Sequence, residues 1–131
     1  MFFCEICNDK ADIHHIIHRH QGGLDIEINY KYLCEKHHRG KDSPHKSLEV
    51  DTLYKIELQD KLHKMLPKGY YPFKELMHIL NISLNIMKRI TKNMPIYKEG
   101  YNKNDIILYL MGGTLYSRDT LESVLIEKLL L

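Results

Sequence analysis

Between Ser47 and Met65, apolar side chains recur at Leu48, Leu53, Ile56, Leu62 and Met65, close to a helical period, and Pro67-Lys68-Gly69 supplies a stop. This stretch predicts a helix bridging two modules. Downstream, Phe73 to Ile79 forms a short amphipathic helix, and Asn81-Ile82-Ser83 provides a turn and an N-cap. Leu84, Met87 and Ile90 then mark a second helix that ends before Pro95. Two short helices across a tight turn fit a helix-turn-helix. Met94 to Tyr101 reads as a short hairpin around Glu99-Gly100, Lys103 to Leu110 as a further helix, and Gly112-Gly113 as its end. Ser117 to Leu131 is a last helix, capped by Ser117 or Asp119, with Leu121, Leu125 and Leu129 on one face. That face packs back on the module or pairs with a second copy of the chain.

Upstream of Ser47 the pattern changes. Ala11 to Ile17 suits one strand and Tyr30 to Cys34 another, joined by a long loop holding Gly22-Gly23. His37 begins a helix that Gly40 and Pro44 keep short. The fold class expected is α+β: a small zinc-stabilised ββα domain over residues 1–46, a linking helix over 47–66, and a mainly helical domain over 67–131.

Composition sharpens this. A chain of 131 residues is one ordinary domain or two very small ones. A domain of about 45 residues is near the lower limit for folding on its core alone, and a bound metal is one remedy. The three cysteines cannot all pair within one chain, which predicts reduced thiols and an intracellular protein. No apolar run reaches the ~18 residues of a membrane span, and Met1-Phe2-Phe3-Cys4 lacks a signal pattern, so no membrane partner is expected. A net charge of +2 is too small to announce a nucleic-acid binder. Its distribution says more: Lys68, Lys74, Lys88, Arg89, Lys92, Lys98 and Lys103 face only Glu75 and Glu99 between residues 67 and 104. Such a local surplus can bind phosphates.

All of the nine histidines except His63 and His78 lie at or before His45, in the half that also holds every cysteine. Cys4-Glu5-Ile6-Cys7 and Cys34-Glu35-Lys36-His37 are two knuckles at a spacing that lets four side chains close one tetrahedral zinc. His14 and His15 are surplus to that set. On a strand adjacent side chains point to opposite sides, so one is free to ligate a metal while its neighbour stays a base. Phosphodiester hydrolysis asks for both: an activated water, and a cation to neutralise the phosphate and the leaving oxygen. His18 and His20 are expected in a solvated or phosphate-touching role, and His63 and His78 outside any site.

Cys4-x-x-Cys7, Asp12-Ile13-His14-His15-Ile16-Ile17, Gln21-Gly22-Gly23, Asn29 and Leu33-Cys34-x-x-His37-His38 together resemble the HNH endonucleases, the ββα-metal nucleases. The resemblance covers residues 4 to about 46. It implies that His14 ligates the catalytic metal, that His15 is the general base, and that Asn29 fixes the loop and the orientation of His15. It also implies that His38 is a second ligand, with His45 as the third and Asp42 as the alternate. Cys4, Cys7, Cys34 and His37 would hold a separate structural zinc, and the catalytic ion would be magnesium or manganese.

Residues 73–110 resemble, more generically, an excisionase-like winged helix-turn-helix. That implies a recognition helix over Ser83 to Thr91, with Asn85, Lys88, Arg89 and Lys92 toward bases or phosphates, and Lys98 and Tyr101 on the backbone. The function expected is a divalent-metal-dependent DNA endonuclease of a phage or prokaryote, acting in the host cytoplasm. The alternatives are a non-catalytic zinc DNA-binding regulator and an interaction module on the same fold.

Overall fold

The computed structural model describes residues 1–130, so Leu131 at the end of the expected last helix lies outside it. The amino-terminal part is a three-stranded antiparallel sheet in the order β1 (Phe2–Phe3), β2 (Lys10–His15), β3 (Tyr30–Leu33), followed by the short helix α1 (Glu35–Arg39). β2 and β3 pair with Asp12 opposite Leu33 and His15 opposite Tyr30. β1 was not anticipated: two residues give no period to read, and the strand exists because the Cys4–Cys7 turn folds it back onto Lys10 and Ala11. The fold is thus a ββα-type region that carries a potential metal-binding cluster, followed by a mostly helical one.

The helices are α2 (Leu48–Met65), α3 (Phe73–Leu80), α4 (Leu84–Thr91), α5 (Lys103–Leu110) and α6 (Arg118–Leu130). Ser47 caps α2 through its hydroxyl, which accepts from the Val50 amide at 3.3 Å, and Ser83 caps α4 in the same way from Ile86 at 3.4 Å. Between α3 and α4, Asn81 takes the left-handed conformation (φ 51°) that ends one helix and turns the chain into the next. The expected hairpin over Met94 to Tyr101 is reduced to a tight turn in which Tyr97 and Gly100 exchange backbone bonds of 2.8 and 3.0 Å. The chain then pairs β5 (Tyr101–Asn102) with β4 (Tyr70–Tyr71), a strand not foreseen. Gly100 makes this possible. Its φ is +118°, and a Cβ there would stand 2.3 Å from the Tyr71 carbonyl oxygen.

One continuous core runs through both regions: Ile16, Ile17, Leu24, Ile26 and Ile28 pack with Leu58, Leu62, Leu76, Met87, Ile106 and Met111. A smaller cluster of Cys4, Ala11, Leu33 and Cys34 sits beneath the knuckles. Gly112 marks a close approach of the two regions: at φ +72°, any Cβ would lie 2.2 Å from the Gln21 carbonyl oxygen.

The face of α2 turned inward differs from the apolar one expected. Leu48 and Leu53 are exposed, while Asp51, Thr52 and Lys55 are buried beside Leu58 and Leu62. The reason is polar pairing: Lys55 Nζ sits 2.7 Å from Asp51 Oδ2, one turn away, and Asp51 Oδ1 reaches a loop histidine. α6 lies against α2, with Lys128 Nζ 3.0 Å from Glu49 and Gln59 bonded to both the amide and the carbonyl of Tyr116. Its cap is reciprocal between Ser117 and Thr120. Leu121 and Leu125 are half-buried and Leu129 is exposed. Among the described residues, no helix is long and apolar enough to cross a membrane.

Candidate metal centres

The knuckle residues converge. Cys7 Sγ lies 3.6 Å from Cys34 Sγ, while His37 Nδ1 lies 3.2 Å from Cys34 Sγ and 3.5 Å from Cys4 Sγ. A zinc with Zn–S near 2.3 Å and Zn–N near 2.0 Å has tetrahedral edges of roughly 3.5–3.8 Å, so the 3.6 and 3.5 Å separations match such edges and the 3.2 Å one is slightly short of them. The Cys4 sulfur also receives the Ile6 amide at 3.4 Å. Burial works to raise the Cys4 thiol, but the amides of Cys34, Cys7 and Ile6 outweigh it and bring its pKa down to about 6. That favours the thiolate, the form that binds metal. The Cys3His set therefore has the geometry of a structural zinc site.

A second cluster includes the next residue of α1, His38. His14, His38 and His45 present ligand nitrogens within 4.8 Å of one another, and His14, His18 and Asp51 present two nitrogens and a carboxylate oxygen within the same distance. His38 Nε2 and His45 Nε2 are 2.9 Å apart, close to the roughly 3 Å edge between neighbouring nitrogens on a six-coordinate cation with bonds near 2.1 Å. His14 is 1% exposed, and its Nε2 is buried without a hydrogen-bond partner. A buried imidazole nitrogen without a partner costs free energy unless something fills its lone pair, and a cation is one such filler.

The electrostatics agree. Burial, reinforced by His38, His45 and His18, brings the His14 pKa down to about 3; burial and then His45 and Arg39 bring His38 to about 4. His18 and His45 are lowered too, burial leading in both. Neutral imidazoles are the ligand form.

His15 occupies a different setting on the same cleft. Its Nε2 is 3.0 Å from Asp25 Oδ1, and its ring stands edge-on to Tyr30 at 5.3 Å. The Tyr30 hydroxyl donates to the same carboxylate oxygen, and that bond, with the one from His15, holds the Asp25 pKa below the usual carboxylate range. A carboxylate acceptor places the proton of neutral His15 on Nε2, leaving Nδ1 as the basic nitrogen.

Asn29 is 3% exposed and works entirely within the loop. Its Oδ1 accepts from the Ile17 amide at 2.8 Å, and its Nδ2 donates to the carbonyls of Ile17 and Leu24, both at 3.0 Å. It makes no hydrogen bond to His15. The orientation of His15 is set directly by Asp25 and Tyr30, whereas Asn29 pins the loop that carries Asp25.

The cleft, about 310 Å³, is lined by His14, His15, His18, His38 and His45, with Arg19, His20 and Arg39 at its margin. The position of His45 in the cluster contrasts with that of Asp42, which is exposed and belongs to none of the candidate groups. His63 and His78 lie exposed on α2 and α3. Asp25, Tyr30, Arg19 and Arg39 were not singled out from the sequence, and His18, expected in a solvated or phosphate-touching role, is half-buried on the cleft. His18 Nε2 bonds Asp51 Oδ1 at 3.0 Å, an interaction spanning 33 residues that no local spacing reveals.

On the helical region, Asn85, Lys88, Arg89, Lys92 and Lys98 are all exposed, and Tyr101 is half-buried in β5. The first four stand on or just after α4, opposite the Met87, Ile90 and Thr91 that it buries. Compared with family models, with curated proteins and with solved structures, the chain matches none.

Proposed function

We propose that the protein is an HNH-type, divalent-metal-dependent endonuclease that hydrolyses DNA phosphodiester bonds, its α3–α4 pair and the turn before β5 serving as a winged helix-turn-helix-like DNA-binding element. The observation that carries the reading is the unpartnered, buried Nε2 of His14 in a cluster with His38 and His45, beside a histidine oriented by a carboxylate. A zinc-stabilised structural fold needs neither.

In this reading His14, His38 and His45 would hold the divalent ion, manganese suiting three imidazoles better than oxygen-seeking magnesium, and the Cys3His set would hold zinc. When bound, the catalytic ion supplies charge neutralisation for the phosphate and the leaving oxygen. His15 takes the proton of the attacking water on Nδ1, and Asp25 stabilises the imidazolium that results. Arg19 and Arg39, at the margin of the cleft, draw the phosphate in. Asn85, Lys88, Arg89, Lys92 and Lys98 bind flanking phosphates or bases.

Plasmid nicking by zinc-loaded protein, with and without added magnesium or manganese, tests this. His15→Ala should slow nicking on the order of 100-fold or more while zinc content and fold are kept. Failure of the wild type to nick with any divalent ion, or unchanged nicking by His15→Ala, would refute it.

A further inference from the structure

A second cavity is larger than the metal cleft. About 590 Å³ in volume, it opens between the end of α4 and the outer face of α5. Arg89, Lys92 and Asn93 form one side, Asp105 and Tyr109 the other, and Gly22 contributes to the wall. The proposed hydrolytic step uses none of its residues, and of its lining only Arg89 and Lys92 belong to the DNA-binding set proposed above.

Its chemistry is specific. Tyr109 and Leu108 are 37% and 39% exposed, so an aromatic ring and an aliphatic side chain stand open to solvent on α5. Asn93 and Asp105 offer donors and acceptors within the same lining. Arg89 and Lys92 have no anionic partner within ion-pair distance among the described residues. An exposed aromatic face, amide and carboxylate groups in the same cavity, and free cations at the rim are what a nucleotide presents in complement: a π-face, a hydrogen-bonding edge and a phosphate. The volume is in the range of small-ligand sites.

Position adds a second argument. The turn at Arg19–Gln21 carries His18, Arg19 and His20 on the metal cleft, and the next residue, Gly22, lines this cavity. Gly112 packs against that same turn, with Gly22 across from it. The metal cleft and the cavity are therefore the two sides of one turn, and a strand laid across it meets both.

We propose that this cavity receives a single unpaired base of a DNA strand, stacked on Tyr109, with its flanking phosphates on Arg89 and Lys92. The inference deepens the nuclease reading by naming the substrate class: DNA with a bulged, extruded or single-stranded nucleotide. Extrusion costs a few kcal/mol in an intact duplex and least where the base is already unpaired, so the cavity selects such sites.

The test measures binding, not cleavage. Full-length zinc-loaded protein, with no other divalent ion added, is titrated into a duplex carrying one bulged 2-aminopurine and into the same duplex fully paired. Stacking on an aromatic side chain contributes roughly 1–3 kcal/mol per base, so the bulged duplex should bind about 10-fold tighter, with quenching of the 2-aminopurine. Tyr109→Ala should abolish both the preference and the quenching, Tyr109→Phe should keep them, and circular dichroism and zinc content should match wild type in both. Equal affinity for the two duplexes, absence of quenching, or a preference that survives Tyr109→Ala overturns the proposal. A protein that nicks DNA yet shows no preference fails here alone. One that captures the base but never nicks fails in its catalytic reading alone.

Discussion

Asp51 ties the metal cleft to the bridging helix, and its replacement reads out how that tie is built. Its carboxylate accepts from Lys55 Nζ at 2.7 Å and faces His18 Nε2 at 3.0 Å, with Asp51 8% and Lys55 3% exposed. Exposed ion pairs are worth about 0–1 kcal/mol, because water screens both partners. Here the Lys55 ammonium is buried, and its other neighbour is the Tyr116 ring, 5.7 Å away. Asp51→Asn keeps the shape of the side chain and removes the charge, stranding Lys55. The expected loss is about 3–5 kcal/mol, the range for breaking a buried pair from one side. Adding Lys55→Met should return about 1–3 kcal/mol, because the stranded charge goes with it. Urea denaturation of the zinc-loaded protein measures both. A loss within about 0.5 kcal/mol of wild type, as for an ordinary surface change, or strict additivity of the two substitutions would show that Lys55 reaches water and that the buried pair is not structural.

Other outcomes follow from the same contacts. Since His14 and His38 have folded-state pKa values of about 3 and about 4, against ~6.5 in an unfolded chain, only the unfolded state takes up their protons between about pH 4 and 6.5. Protein without a catalytic ion should therefore lose stability as pH falls from 6.5 toward 4 and gain nothing from them above 6.5; a urea midpoint that rises on acidification over that window would contradict buried neutral imidazoles. Replacing Lys88 and Arg89 together with Ala should weaken DNA binding and reduce the log–log salt slope by about two, one for each lost phosphate contact, and an unchanged slope would place the contacts elsewhere.

Local features were legible where local chemistry sets them. The cap at Ser83, the helix stop at Pro67-Lys68-Gly69 and the turn at Asn81 each follow from residues within a few positions, and all appear in the structure. The knuckles were legible because zinc geometry dictates ligand type and spacing. What escaped was whatever depends on tertiary placement. Asp25 sits in a loop that looks like any polar connector until Asn29 pins that loop and brings the carboxylate to His15. The buried face of α2 was misread because Asp51 and Lys55 count as polar one at a time and become core only as a pair. β1 and β4 hold two residues each, too few for a period of two to show.

α1 links the two candidate metal sites. His37 and His38 are consecutive on a five-residue helix, about 100° apart around its axis, so one turn presents the first to the cysteines and the second to the imidazole cluster. Cys34, the N-cap of that turn, is itself in the zinc set, and its carbonyl accepts from the His38 amide at 2.8 Å. A helix this short does not persist without external ties. Zinc loss should therefore fray α1 and scatter His38, so that Cys4→Ser removes zinc, unfolds the amino-terminal region and abolishes binding of manganese at the histidine cluster. The converse should not hold: His38→Ala leaves the knuckle ligands in place and should retain zinc while manganese binding weakens on the order of 10-fold or more, the scale on which disturbing a metal's ligand environment acts. Zinc analysis of each purified variant and manganese titration by electron paramagnetic resonance separate the two. A folded, manganese-binding Cys4→Ser protein without zinc would break the hierarchy, as would loss of zinc from His38→Ala.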